Sequence, residues 1–407
     1  MELAALYKRV IGLDVHQAQI TACALIEEAD GTTRMEQRQF GAFKRDRRAL
    51  ASWAAALGPD CVVMESTGIY WKSPYAALEA AGLHAQVVNA RHVKNVPGRK
   101  TDIGDAQWLA TLARAGLLRG SFIPPAPLRE LRLIARQRQV LVGQLASEKN
   151  RLHKVLTDSG IRLGVVVSDL HGQSARAMVR ALIAGQPPHE VIRFASARLK
   201  APRAEIFEAL QGDLTASHGF VLQELMHHIE EIEARIARFD ARLLAGLADA
   251  QSALALLQTV PGVDLIGAAM LLVEIGTDMT AFGNADRLAS WVGVCPGNNE
   301  SAGKRKSGHV RKGNPYVRRL LCEFAHAASR TRSVFKTKFQ ALTVRRGHKR
   351  AIIAIAHKLL RTIFFMLKRG AHYRDSATDY EALSVQRNAP RWIKALTKYG
   401  FIAPVGA

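Results

Sequence analysis

Short apolar runs bounded by turn residues dominate the first 125 residues and predict strands that alternate with helices. The predicted strands are two within 8–27, joined by a tight turn at 16–19, and one each at 33–40, 61–65 and 84–89. The predicted helices are 44–57, 71–81 and 102–116. The resulting order, β-β-β-α-β-α-β-α, predicts an α/β domain that ends at the prolines of 124–127.

The spacing of apolar residues changes to a heptad pattern in the middle of the chain. Residues 131–155 and 222–243 each place an apolar residue every three or four positions, with Arg138 and Glu148 interrupting the first series. These two helices predict an antiparallel coiled coil, or one arm of an oligomer interface. The stretch between them, 157–217, shows two further helical patterns and no recognisable chemistry.

From residue 251 the pattern predicts a mainly α-helical domain. It begins with a helix, a tight Pro-Gly turn at 260–263 and a second helix, which is typical of a helix-hairpin-helix whose turn offers backbone N–H groups to a DNA phosphate. Asp264 adds a negative charge that opposes such a contact. We therefore expect four segments: 1–125, a helical linker at 126–250, a C-terminal domain at 251–372 and a peripheral tail at 373–407.

Four acidic residues occupy notable positions in the first domain. Asp14 and Glu65 close two predicted strands, and Asp102 and Asp105 stand three residues apart, on one face of the predicted 102–116 helix. This is the order of acids in ribonuclease-H-like nucleases, where they hold divalent metal. Carboxylate oxygens suit one or two Mg²⁺ ions that clamp a phosphodiester. The alternative is that these acids are solvated or, like Asp102, favour a helix dipole.

The segment 298–314 is rich in glycine and serine, which predicts a loop, and together with the helix after it concentrates positive charge. The cations are Lys304, Arg305, Lys306, Arg311, Lys312, Arg318 and Arg319. Interleaved glycines allow close approach of backbone to phosphates, which favours nucleic-acid contact over a merely solvated face. Ser301 and Ser307 share this positive surround, which a nucleophilic serine needs, and spacing alone does not choose between them.

Composition restricts the partner and the compartment. The 407 residues have a net charge of +22 and a pI near 10.3, which favours a nucleic-acid partner over a membrane. Four scattered cysteines fit a reducing cytoplasm rather than a disulfide or zinc scaffold. No apolar signal segment is evident, so we expect a cytoplasmic, nucleoid-associated bacterial protein.

Several other polar and aromatic residues have open roles. His16, His92 and His326 are candidate metal or proton partners, although each alone is more often structural. Tyr70 and Trp71 follow Glu65 and either stack on a base or fill the core, with the core preferred for Trp71.

Taken together, these motifs resemble the DEDD transposases of bacterial insertion sequences, described as bridge-RNA-guided serine recombinases related to the Piv invertases. The matching stretches are 11–16, 64–70, 100–106, 260–263, 282–294, 301–304 and 312–321. They occur in the family order on both sides of the predicted coiled coil. Asp264 and the 157–217 stretch depart from the family pattern.

The resemblance implies a RuvC-like domain whose Asp14, Glu65, Asp102 and Asp105 bind Mg²⁺. It also implies a C-terminal transposase domain whose serine, matching Ser301, forms a transient phosphoserine link to DNA. A homo-oligomer, a dimer or tetramer, would complete each site with acids of one subunit and serine of another. A structured non-coding RNA would choose the DNA target. The alternatives are a RuvC-like, metal-dependent junction nuclease and a non-catalytic nucleic-acid-binding protein.

Overall fold

The chain forms two compact units, Met1–Ala126 and Pro127–Ala407. The computed structural model describes residues 5–65, 68–90, 93, 104–296, 299–301, 304–307, 310, 312–376 and 380–402, with the backbone alone for 299–301, 304–307, 381 and 384. The division between the units lies next to the expected boundary at 125.

The first unit is built on a five-stranded sheet. Its strands are β1 (Arg9–Val15), β2 (Gln19–Glu27), β3 (Thr33–Gly41), β4 (Cys61–Glu65) and β5 (Ala85–Val88), in the order β3-β2-β1-β4-β5. The pairs β1–β2 and β2–β3 are antiparallel, whereas β1–β4 and β4–β5 are parallel. This mixed sheet has the ribonuclease-H-like order, so the predicted α/β fold is confirmed.

Helices cover the two faces of the sheet. Helices α1 (Lys44–Leu57) and α2 (Lys72–Ala80) pack on the face that includes Leu13 and Val62. Helix α3 (Asp105–Arg114) packs on the opposite face, which includes Val63. The central strands are apolar on both faces because both are covered.

Helix α3 begins later than its apolar pattern predicts. Gly104 is its N-cap and has extended backbone angles (φ −58°, ψ 147°), so Asp105 is the first helical residue. The expectation that the Asp102 and Asp105 carboxylates point the same way stays a prediction, because it also depends on the position of Asp102. Asp102 itself lies outside the described residues.

The second unit starts with two long antiparallel helices, α4 (Ala126–Asp158) and α9 (Ala216–Ala245). Lys149 lies 3.2 Å from Glu233, and Asp158 lies 3.3 Å from His218. Between them come α5 (Leu163–Val166), α6 (Gln173–Ile183), α7 (Pro188–Val191) and α8 (Arg203–Ala209). These short helices share one apolar core with the two long ones, so 157–217 is a structural part of the unit.

Six helices form the body of the C-terminal region. They are α10 (Gln251–Gln258), α11 (Leu265–Ile275), α12 (Ala285–Val292), α13 (Pro315–Ala328), α14 (Val334–Arg346) and α15 (His348–Arg369). Helix α14 was not predicted. Helix α12 was not predicted either, whereas α10, α11 and α13 agree with the predicted helices to within a few residues at their ends.

The turn between α10 and α11 has a different environment from the one expected. Asp264 caps α11, since its Oδ1 accepts from the Gly267 N–H at 2.7 Å. Gly262 (φ +85°) lies against the end of α13, where an added Cβ would come within 2.6 Å of the Ala328 nitrogen. Asp264 thus has a structural role, and a phosphate contact by this turn stays a prediction.

The basic segment expected to be a loop contains a β-ribbon instead. Strands β6 (Asn299–Ser301) and β7 (Lys304–Ser307) pair antiparallel, with Ser301 opposite Lys304. A further bridge joins Pro296 to Val310. We call 296–310 the serine hairpin. Backbone pairing at both places overrides the preference of glycine and serine for irregular structure.

The C-terminal segment contacts the body, and its expected role as a peripheral tail stays a prediction. Asp375 accepts from the Val334 N–H at 3.0 Å, at the start of α14, and Tyr373 stacks on Phe335. Helix α16 (Tyr380–Lys398) packs on α14. Within the described ranges, no helix has the combination of length and apolar character required to cross a membrane.

Candidate active site

Asp14 and Glu65 lie on the same face of the sheet at its carboxyl edge. The parallel register pairs Leu13 with Met64, so Asp14 and Glu65 are the next residues on neighbouring strands. Alternation along each strand puts both on the face covered by α3. The Asp14 side chain is 27% exposed, which leaves it accessible from solvent.

Helix α3 reaches the same edge because Gly12 lets it approach β1 closely. A Cβ on Gly12 would come within 2.1 Å of the Ala106 carbonyl oxygen and 2.6 Å of the Ala110 nitrogen. Asp105 opens this helix one residue before Ala106. The contact at Gly12 therefore fixes the start of α3, with its carboxylate, relative to the strand that ends at Asp14.

His16 adds a partner to this edge, as its Nε2 lies 3.1 Å from Asp14 Oδ2. Three carboxylates and an imidazole are donors that suit a divalent cation. The described residues nevertheless contain no group of three or more such side chains close enough to hold a metal. The donor types fit Mg²⁺, and the predicted set includes Asp102, which the structure does not describe.

The base of the serine hairpin is followed by Gly313 and Asn314, which pack closely on the end of α12. Gly313 lies so close to α12 that a Cβ would come within 2.4 Å of the Gly293 nitrogen. The Asn314 N–H donates to the Trp291 carbonyl oxygen at 3.1 Å. Ser301 ends β6 and Ser307 ends β7, so the ribbon presents both candidate nucleophiles, and backbone geometry does not choose between them.

A buried carboxylate that sequence reasoning missed supports this base. Glu274, 3% exposed, accepts from Arg136 Nε at 2.7 Å and from Asn314 Nδ2 at 2.8 Å. Arg132 Nε lies 3.3 Å away. Burial lowers the pKa of the Arg132 guanidinium to about 10, although the Glu274 carboxylate acts in the opposite direction. The network joins α4, α11 and the residue that caps α13.

The predicted basic residues differ in how the structure describes them. Lys304, Arg305 and Lys306 are described by their backbone in β7, and Arg311 lies outside the described residues. Lys312 is exposed, and Arg318 is half-buried. Arg319 is exposed but pairs with Glu323 at 3.1 Å, which reduces its availability to a phosphate.

The remaining candidates have structural contacts. His326 stacks on His348 with ring centroids 5.3 Å apart, and His92 lies outside the described residues. Tyr70 is 40% exposed, whereas Trp71 packs edge-on against Tyr75 beside the core. The packing agrees with the core role preferred for Trp71.

The ribonuclease-H-like sheet, the acids at its edge and the strongly basic second unit define an enzyme that acts on nucleic acid. Comparison with known families identifies which one. Residues 11–160 match the family model DEDD_Tnp_IS110, described as "Transposase", and residues 254–340 match "Transposase IS116/IS110/IS902 family". The two matches together span more than half of the chain, which therefore belongs to the IS110/IS116 family of transposases, enzymes of DNA cleavage and transfer. This excludes the non-catalytic alternative.

Individual relatives cover most of the chain at low identity. A "Probable family 20 transposase" of Pseudomonas aeruginosa is 26% identical over 78% of this chain and 87% of its own length. The "Transposase for insertion sequence element IS1111A" of Coxiella burnetii is 24% identical over 91% and 92%. Among solved structures, "Thermus thermophilus RuvC structure" covers 28% of this chain and 99% of its own at 13% identity, with a TM-score of 0.22.

Proposed function

We propose that this transposase cuts and joins DNA through a serine nucleophile, Ser301, and a Mg²⁺-dependent site formed by Asp14, Glu65, Asp102 and Asp105. One observation is the main support: Asp14 and Glu65 end neighbouring parallel strands on the face where Asp105 opens the helix seated on Gly12. Strand ends next to a helix start are where carboxylates from distant parts of a sequence converge.

In this mechanism the four carboxylates hold the ion, and when bound, Mg²⁺ supplies Lewis-acid polarisation of the scissile phosphate. His16 holds the Asp14 carboxylate in place by its hydrogen bond. The Ser301 oxygen forms a bond to phosphorus and its proton passes to water. The bond from phosphorus to the DNA oxygen breaks, and this oxygen takes a proton from water and leaves as a hydroxyl. Attack by a hydroxyl of the partner DNA then reverses these steps and frees Ser301.

The proposed partners follow from charge and shape. DNA would contact the cations between the serine hairpin and the first turns of α13, namely Lys304, Arg305, Lys306, Arg311, Lys312, Arg318 and Arg319. A structured guide RNA would share this basic surface, in keeping with the charge of +22. A homo-oligomer, dimer or tetramer, would form through the α4 and α9 helix pair.

The test uses the protein with DNA from the ends of its element, Mg²⁺ and RNA transcribed from the flanking sequence. A denaturing gel would show a covalent protein–DNA adduct for the native chain. We expect no adduct with Ser301→Ala or Asp14→Ala, because the first removes the nucleophile and the second a ligand of the cation. Ser307→Ala is the matched control on the same ribbon, and it should retain the adduct.

A second candidate is a RuvC-like nuclease in which water, rather than serine, attacks the phosphate. The acids at the sheet edge support this function equally well, since they do not depend on the hairpin. Mg²⁺-dependent cutting that survives Ser301→Ala, without any adduct in the native chain, would establish the nuclease and reject the serine mechanism. If Ser307→Ala loses the adduct and Ser301→Ala retains it, the nucleophile is Ser307 rather than Ser301.

A further inference from the structure

A groove of about 1260 Å³ lies beside helices α14 and α15. Its apolar part includes Leu342, Ile353 and the 39%-exposed ring of Phe365. At one end it is lined by Pro296 and Val310, the bridged residues at which the serine hairpin begins and ends. The groove therefore leads to the base of the serine hairpin, whose first strand, β6, ends at Ser301.

The rim of this groove is positively charged without compensation. Arg345, Arg346, Lys349 and Arg350 line it and are exposed. The sequence from 324 to 374 contains 13 Lys and Arg and no Asp or Glu. Among the lining residues only Arg361 forms an ion pair within the described part of the chain, with Asp286.

The inner part of the groove holds two further lysines close together. Lys358 donates to the Tyr380 hydroxyl at 2.8 Å, and Lys338 lies over the same ring at 5.2 Å from its centroid. Burial, and then the charge of Lys358, lower the pKa of Lys338. Burial, and then Lys338, lower the pKa of His357 beside them. Two ammonium groups held this close repel each other, and an anion between them would remove that cost.

We propose that this groove binds the sugar-phosphate backbone of the DNA strand next to the scissile phosphate. The assignment rests on the proposed function for its choice of DNA, because the groove ends at the base of the serine hairpin. Its cations match phosphates, and its apolar floor suits sugars and bases. These side chains lie outside the 304–319 segment, so they form an additional contact surface rather than part of the hairpin.

The experiment measures equilibrium binding of a duplex from the element end, as a function of salt, to chains that also carry Ser301→Ala. The rim variant combines Arg345→Gln, Arg346→Gln, Lys349→Gln and Arg350→Gln. The matched control combines four substitutions of the same charge at exposed sites that do not line the groove, Arg330→Gln, Arg332→Gln, Lys368→Gln and Arg374→Gln. Circular dichroism would establish that both variants fold.

We expect the rim variant to bind at least about tenfold more weakly and its log–log salt slope to fall by about 2 to 4, since each lost phosphate contact reduces the slope by about 1. The control variant should lose much less DNA-binding affinity. A double variant, Arg345→Gln with Arg346→Gln, should give an intermediate loss.

An equal loss of DNA affinity in the rim variant and the control, or no loss in either, would overturn the proposal. A groove that binds DNA must contribute more to affinity than the same number of positive charges elsewhere on the surface. Unchanged DNA binding with weakened binding of the flanking RNA would also overturn it and make the groove an RNA site. Since Ser301 is absent throughout, either failure leaves the adduct test of the serine mechanism unaffected. Absence of the adduct would likewise leave this binding result intact.

Discussion

At the scale of single residues, Gly12 determines how closely helix and strand can approach. Only a hydrogen at this position avoids the backbone of α3, and the helix in turn positions Asp105. The same helix buries Leu109 and Leu112 against the sheet. The stability of the first unit and the geometry of the candidate metal site thus both depend on the contact between Gly12 and α3.

We expect Gly12→Ala to destabilise the chain by about 1–3 kcal/mol, because the added methyl pushes α3 away from β1. It should also abolish Mg²⁺-dependent DNA cleavage, since Asp105 moves with the helix. Urea unfolding and a cleavage assay on the folded variant would check both effects.

Gly219→Ala is the comparison, as it lies in α9 with no atom within 4 Å of an added Cβ. This substitution should raise the free energy of unfolding by roughly 0.5–1 kcal/mol, because alanine favours the helix, and should leave DNA cleavage unchanged. Full cleavage by Gly12→Ala would show that the position of α3 does not control the acids.

At the scale of elements, the Glu274 network joins α4 and α11 to Asn314, which caps α13 four residues after the serine hairpin. Its carboxylate contacts Arg136 and Asn314 while almost completely buried. Removing one charge of a buried group leaves its partners unpaired, which costs far more than the loss of an exposed pair.

Glu274→Gln should lower the free energy of unfolding by about 3–5 kcal/mol, because the partly buried Arg132 and Arg136 would lose the buried carboxylate that neutralises them. Glu323→Gln removes an exposed partner of Arg319 and should cost less than about 1 kcal/mol. Urea denaturation of both variants gives the comparison, and similar small losses would show that the network adds no stability.

The elements also show what patterning predicts and where it fails. Strands such as Cys61–Glu65 and helices such as α9 were recognised because local apolar spacing decides them. Glu274 was missed because it lies in an apolar helix, and its partners are 138 and 40 residues away in sequence. The β-ribbon was mistaken for a loop because composition there favours turns, whereas long-range pairing decides. Similarly, the groove beside α14 required a helix that the sequence did not reveal.

At the scale of the whole molecule, the resemblance to the DEDD transposases implies that the acids of one subunit act together with the serine of another. Sharing between subunits can be tested by mixing two inactive chains. Asp14→Ala lacks a ligand but keeps Ser301, and Ser301→Ala has the reverse defect.

In a symmetric dimer with shared sites, random exchange of the two variants should restore about a quarter of the native sites. Adduct yield after mixing and subunit exchange would measure this. If acids and serine of one subunit act together, the mixture should stay as inactive as either variant alone.

The antiparallel helices α4 and α9 have a consequence for how the chain is made. Asp158 of α4 contacts His218 of α9 in the folded chain. Because α4 precedes α9 in the sequence, it leaves the ribosome well before its partner. At about 5–20 residues per second, α4 waits roughly 5–20 s for the synthesis of 159–245. During this interval its apolar seam is open to any nearby nascent chain, including another copy emerging from the same messenger RNA. We therefore expect assembly between copies of this chain to begin at the site of translation.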